Sequence, residues 1–177
     1  METAGRYEHY PIGIVLASNF VSISIYTLGV LIMLNAAFAL AAMYLVFILV
    51  MELRLLSMHC TNCYYRGKSC AFGKGRISAW FFIQGDTMKF CAKKMTWKEM
   101  IPDLLISLVP LVTGIAMLII SFNIILLSEM VLIVALTTLG NSYVRGSLAC
   151  NHCKQRDLGC PAYELFNSSS HKDSRNL

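Results

Sequence analysis

The sequence predicts an all-α membrane protein with four transmembrane helices, built as two hairpins that repeat in parallel. Three observations predict it: long stretches without charge, Lys and Arg confined to three places, and a cysteine pattern that recurs at a fixed offset. Of the 177 residues, 56% are hydrophobic and only 14% charged, against about 25% charged in an ordinary soluble domain.

Residues 11–51 contain no Asp, Glu, Lys, Arg or His. One span takes about 20 residues, so this run holds two helices, expected at 11–32 and 35–56. It is far longer than the roughly 7–15-residue apolar core of a signal peptide, and reads as an uncleaved first span. Leu104–Ser128 and Met130–Val144 are also free of charge, parted only by Glu129. They form the second pair, expected at 102–122 and 126–146. Ala36, Ala37, Ala39, Ala41 and Ala42 let helix backbones approach closely in lipid. Ala37 and Ala41 share a face, which makes the second helix the expected central packing element.

All 15 Lys and Arg lie at Arg6, between Arg54 and Lys98, or from Arg145 onward. The hairpin turns, expected near Asn35 and Asn123, have none. Positive residues are retained on the cytoplasmic side. The N-terminal segment 1–10, the central segment and the polar tail 163–177 therefore face the cytosol of a multi-pass cell-membrane protein. The net charge of +5 is accounted for by this topology and by attraction to anionic inner-leaflet lipids, with no nucleic acid required. Asn167-Ser168-Ser169 fits a glycosylation sequon, which is unusable on that side.

The repeat is carried by cysteine. Cys60, Cys63 and Cys70 recur 90 residues later as Cys150, Cys153 and Cys160, both sets reading C-x2-C-x6-C, with Gly67 and Gly159 near the third cysteine. These clusters, at 57–72 and 147–162, come directly after the hairpins at 11–56 and 101–146. Pro11 and Pro102 are 91 residues apart, as are Arg54 and Arg145, and Asn35 and Asn123 are 88 apart. An even number of crossings leaves both copies in one orientation, predicting a pseudo-two-fold axis along the membrane normal.

Between the halves, 73–100 interleaves Trp80, Phe81, Phe82, Phe90 and Trp97 with Arg76, Lys89, Lys93, Lys94 and Lys98. Aromatic rings favour the headgroup level and basic residues favour anionic lipid, so an amphipathic segment on the inner leaflet is expected.

A C-x2-C pair presents two sulfurs from one tight knuckle, and further ligands close a tetrahedral thiolate site. Cytosolic cysteines stay reduced unless they are catalytic or bind metal. Cys60, Cys63, Cys70, Cys150, Cys153 and Cys160 are thus the candidate metal ligands. Zinc is expected, because it is redox-inert and common in all-cysteine sites; an iron–sulfur cluster, also held by thiolates, is the alternative. Either Cys60, Cys63, Cys150 and Cys153 share one ion with Cys70 and Cys160 nearby, or each cluster holds its own ion and takes a fourth ligand from elsewhere. His59 and His152 are not equivalent in the repeat, so neither is assigned as a ligand. Cys91 has no counterpart and reads as a lone thiol.

Thiol–disulfide exchange with a quinone is the competing chemistry, with Arg66, Lys68, Lys154 and Arg156 as cations able to lower a thiol pKa. Membrane enzymes of that kind work on the oxidising face and without a third cysteine. No carboxylate is expected at mid-depth: Glu129 is near the outer turn, Glu52 and Asp103 near the inner surface. That disfavours a proton pathway. Bis-histidine haem, a phosphate loop and paired carboxylates are absent too. The sequence thus points to a non-enzymatic scaffold or interaction module, partnered by another membrane protein or by itself. A membrane redox protein is the alternative.

Overall fold

Helix is the only regular secondary structure among the described residues. This is a computed structural model that describes residues 5–86, 97–158 and 160, without the side chains of 97–100, 102 and 103. Phe90, Cys91, Lys89, Lys93, Lys94, Gly159 and the tail 163–177 therefore lie outside the described residues, as do the side chains of Trp97 and Lys98.

Helix α1 spans Ile12–Ala36 and α2 spans Phe38–Met58. A short α3, Lys74–Phe81, precedes α4 at Trp97–Ile120 and α5 at Ile124–Ala135. The last helix continues through π-helical turns at Leu136–Gly140 and Tyr143–Ala149. Three helical stretches are long and apolar enough to cross a bilayer: Ile12–Ala36, Phe38–Asn62 and Ile124–His152. Leu104–Ile120 is also apolar but shorter. The first hairpin turns later than its sequence suggests. Asn35 stays inside α1, donating to the Leu31 carbonyl at 2.9 Å, and only Ala37 breaks the helix. Asn123 does mark the second turn, where its side chain caps α5 by accepting from Ile125 N–H at 2.9 Å.

These helices are dressed for lipid. Phe38 and Ile119 are each 81% exposed, and large apolar side chains stand outward along every long helix. Such a surface is a liability in water and ordinary in a bilayer. Hydroxyls along the helices bond back to the preceding turn: Ser18 to Ile14, Thr113 to Val109, Thr137 to Ile133 and Thr138 to Val134. No polar hydrogen from these side chains is left facing hydrocarbon.

The described residues fall into two units. One draws on Met1–Ser18, Leu55–Thr96 and Val144–Leu177, and the other on Asn19–Arg54 and Trp97–Tyr143. In the second unit, one apolar cluster is built on Ile25 and Ile32 of α1 with Leu126, Met130 and Ile133 of α5. Another joins Met33 of α1 to Ala41, Tyr44 and Ile48 of α2. Side chains of α1 and α4 enter both clusters, whereas α2 and α5 enter one each. The alanine stripe of α2 is thus not the central packing element. Ala41 is buried, but Ala37, Ala39 and Ala42 are exposed. Glycines make the close approaches instead. A Cβ at Gly29 would strike the Tyr44 ring, and one at Gly114 would reach Met130 Sδ at 2.7 Å.

Pro110 shows how the unit tolerates a break in its hydrogen bonding. Proline has no N–H, so the carbonyl four residues earlier, on Ile106, loses its helical donor. Tyr44 supplies the replacement: its hydroxyl donates to Ile106 O at 2.6 Å in a buried position. Tyr44→Phe is expected to destabilise the protein by about 1–3 kcal/mol, the cost of a buried unsatisfied carbonyl. In a Pro110→Ala background, where residue 110 regains its N–H, that cost should fall toward zero. A double-mutant cycle by reversible unfolding in micelles measures the difference.

Candidate functional site

The first unit contains both cysteine loops. Each begins where a long helix runs out: α2 passes into a 3-10 turn at Cys60–Asn62, and the last helix into one at Cys150–His152. The loops then take the same backbone course. Cys63 N–H donates to Cys60 O at 3.4 Å, and Cys153 N–H to Cys150 O at 3.3 Å. Arg66 N–H meets Cys63 O at 3.1 Å, and Arg156 N–H meets Cys153 O at 3.2 Å. Lys68 and Leu158 close the next turn onto Tyr65 and Gln155. Cys63 and Cys153 both leave their turns extended, at φ −85° and −84°.

The loops also hold each other. Tyr64 N–H donates to Gln155 Oε1 at 2.7 Å, and Lys154 N–H donates to the Tyr65 hydroxyl at 3.0 Å. Tyr64 and Lys154 each come directly after the second cysteine of their loop, and Tyr65 and Gln155 come one residue later. The two bonds are therefore the same bond made in opposite directions. The accepting side chains, Gln155 and Tyr65, are both 2% exposed.

A strap from the N-terminal segment ties both loops. Tyr10 N–H donates to Ser69 O at 2.9 Å, and its hydroxyl to Ala149 O at 2.6 Å. Tyr7 N–H donates to His152 O at 3.1 Å, and Tyr7 O accepts from the Tyr65 hydroxyl at 2.6 Å. Tyr7, Tyr10, Tyr64 and Tyr65 form a chain of edge-on ring pairs, and His152 stacks on Tyr7 at 5.0 Å. Arg6 pairs with Asp157, and Glu8 with Lys154. The Lys154 ammonium holds the Glu8 carboxyl below its ordinary range.

None of the six candidate cysteines is in a disulfide, and all six are of intermediate burial. Cys63, Cys70 and Cys153 pack against the tyrosine cluster. Backbone N–H groups point at sulfur in both loops: Tyr65 at Cys63, and Gln155 and Arg156 at Cys153. Gly75 N–H reaches Cys70 Sγ at 3.4 Å. Gly75 is required there, since a Cβ would strike the carbonyls of Tyr65 and Lys68. Burial nonetheless dominates the acidity. It pushes the Cys63 thiol up to about 12, with the Tyr65 N–H acting the other way. Cys153 is raised for the same reason, and burial lifts the Tyr65 phenol to about 12. Among the described residues, no three His, Cys, Asp or Glu side chains converge closely enough to hold an ion. His59 and His152 remain apart in role, His59 closing α2 through its N–H to Leu55 O.

No known protein family, curated protein or solved structure matches this chain. The site is therefore read from its own chemistry.

Sequence reasoning found the six cysteines but missed Tyr7, Tyr10, Tyr65 and Gln155. The partners Tyr65 and Gln155 each stand two residues after the second cysteine of their loop yet differ in kind, so a comparison by residue type conceals them. Tyr7 and Tyr10 stand in a segment of mixed charge that gave no helical or metal-ligand spacing.

The raised Cys63 pKa fixes a sign. An unfolded thiol loses its proton near 9, while burial in the fold keeps it toward 12. The associated stability is complete below pH 9 and is lost as the pH climbs from there. Cys63 is accordingly expected to alkylate slowly at pH 8, with a rate still rising above pH 10, read by mass spectrometry. Gln155→Ala, which removes the acceptor of the Tyr64 N–H, should loosen the paired loops and speed that alkylation; Gln155→Glu, which keeps the acceptor, should not.

Proposed function

We propose that this chain is a four-span membrane protein whose two cysteine loops bind zinc on the cytosolic side, as a structural and non-enzymatic module. One observation carries the reading. Two C-x2-C turns of matching backbone course stand in one unit, each aiming backbone N–H groups at its second sulfur.

The chemistry is set by that arrangement. N–H groups directed at sulfur favour the thiolate, while burial opposes it as long as no positive charge is near. A divalent ion reverses the balance, since a coordinating thiol is deprotonated outright. No three ligating side chains converge among the described residues, so binding an ion has to draw the thiols of the two loops together. The metal then cross-links the ends of two helical hairpins, which is the ordinary role of zinc in closed thiolate sites.

The remaining features fit the same protein. The apolar part of helix α4, Leu104–Ile120, falls at the short end of the roughly 17–25 residues that a crossing takes. Helix α3 turns Gly75 and Ser78 inward and leaves Trp80 and Phe81 84% and 73% exposed beside Arg76. Small residues inside and aromatics outside suit a helix resting on the anionic inner leaflet. The fixed cytosolic face is then available to a membrane-protein partner or to a second copy.

Protein purified without oxygen is expected to be colourless and to contain zinc, with Cys60→Ser and Cys150→Ser each reducing the metal content. Brown protein containing iron and sulfide would transfer the reading to an electron carrier. Protein that neither retains nor binds zinc would refute it. A membrane-impermeant maleimide applied to intact cells should leave Cys63 and Cys153 unlabelled. In a Trp97→Phe variant, brominated anionic lipid should quench Trp80 fluorescence strongly; unquenched emission would remove α3 from the bilayer surface.

A further inference from the structure

Glu129 interrupts the apolar surface of α5 and finds no cation in its own unit to answer it. It comes five residues after Ile124, the first residue of the helix, inside the apolar stretch Ile124–His152. Its Oε2 accepts from the Asn35 amide at 3.5 Å, the long limit of a hydrogen bond, and that amide also donates to Leu31 O at 2.9 Å. A neutral donor does not cancel a charge. The unit of Asn19–Arg54 and Trp97–Tyr143 has two basic residues, Arg54 and Lys98, each toward the end of its helix away from the turns at Ala37 and Asn123. From Ala37 to Arg54 is 17 residues, about 25 Å of helix. Among the described residues no basic side chain pairs with Glu129. A carboxylate at membrane depth takes a partner or marks a site.

Beside it lies a groove of about 570 Å3 that runs along α5 from Ile124 to Ala135, flanked by Leu127, Val131 and Leu132. Positions three, four and seven apart share one helix face, so this is a packing surface three turns long, about 16 Å. Ser128 also faces it; its hydroxyl donates to Ile125 O at 2.7 Å. Small Ser128 and Ala135 leave room for a second backbone to come close. Lipid tails can fill such a groove but offer the carboxylate nothing. A zwitterionic headgroup brings a phosphate, for which 10–53 and 99–144 hold no Lys, Arg or His. A second copy brings the same helices without a cation at this depth, and two-fold pairing on this face sets Glu129 against Glu129.

We infer that this face of α5 docks a transmembrane helix of a different membrane protein, one that presents a Lys or Arg to Glu129. Ridges of the incoming helix fill the groove, and the charge pair is neutral as a whole. Asn35 holds Oε2, which leaves Oε1 for the cation. This face is separate from the cytosolic one discussed above; the inference rests on the membrane-spanning reading and not on zinc.

The test uses the full chain in bicelles, titrated into fluorophore-labelled single-span polyleucine peptides that carry Lys, Leu or Glu at the depth of Glu129. Fluorescence anisotropy should show the Lys peptide binding about tenfold tighter than the Leu peptide, and the Glu peptide no tighter. Glu129→Gln should bring the Lys peptide down to the Leu level, and Ser128→Phe, which fills the groove, should weaken it as well. Equal binding of the Lys and Leu peptides, or a preference that survives Glu129→Gln, overturns the inference. Displacement of the Lys peptide by dodecylammonium at equal affinity overturns it in favour of a small amphiphile. Wild-type self-association that Glu129→Gln abolishes overturns it in favour of a second copy. A chain that fails to enter bicelles refutes the membrane reading as well, whereas zinc content stands or falls by its own measurement. Should a variant fail to fold, the three peptides on the wild type still decide.

Discussion

The pair of hydrogen bonds between Tyr64 and Gln155 and between Lys154 and Tyr65 is the constraint on which the cysteine-bearing unit depends. Each bond pairs a backbone N–H of one loop with a buried side chain of the other, so separating the loops breaks both bonds at once. The tyrosine strap strengthens the arrangement by adding partners from both loops, but it docks on a surface that the reciprocal bonds create. No disulfide links the six described cysteines, so in the metal-free chain these hydrogen bonds join the loops.

The other unit solves a different problem with the same rule. Inside a bilayer every polar group must find a partner within the protein, and Pro110 breaks the rule by removing a donor from α4. Tyr44 repairs it from α2, and Gly29 on α1 gives the Tyr44 ring the space to reach. Three helices are fixed by one missing hydrogen. Tyr26 and Glu52 form a second polar link between α1 and α2, so the first hairpin is held by hydrogen bonding as well as by packing.

Much of this is legible in the sequence. Charge-free runs locate the long helices, because only an apolar stretch can be so long without a polar break, and Asn123 marks a turn because it caps the helix after it. Asn35 misleads, since a side chain that bonds back to Leu31 continues a helix as readily as it ends one. The alanines of α2 suggest packing that α1 and α4 provide instead; composition names small residues without saying which face they occupy. The cysteine spacing identifies the loops, but not that they meet, because the residues that join them are a tyrosine in one loop and a glutamine in the other. Hydrogen-bonding capacity is the property the two loops share there, and it has no signature in a comparison by residue type.

The strap carries a consequence for the order of events during synthesis. Tyr7 and Tyr10 find their partners at Ser69, Ala149 and His152, and Tyr10 remains unsatisfied until the ribosome has moved 139 residues further along. An early segment must therefore wait, undocked, until the second cysteine loop has been made. Its final docking then marks the arrival of the later-made loop.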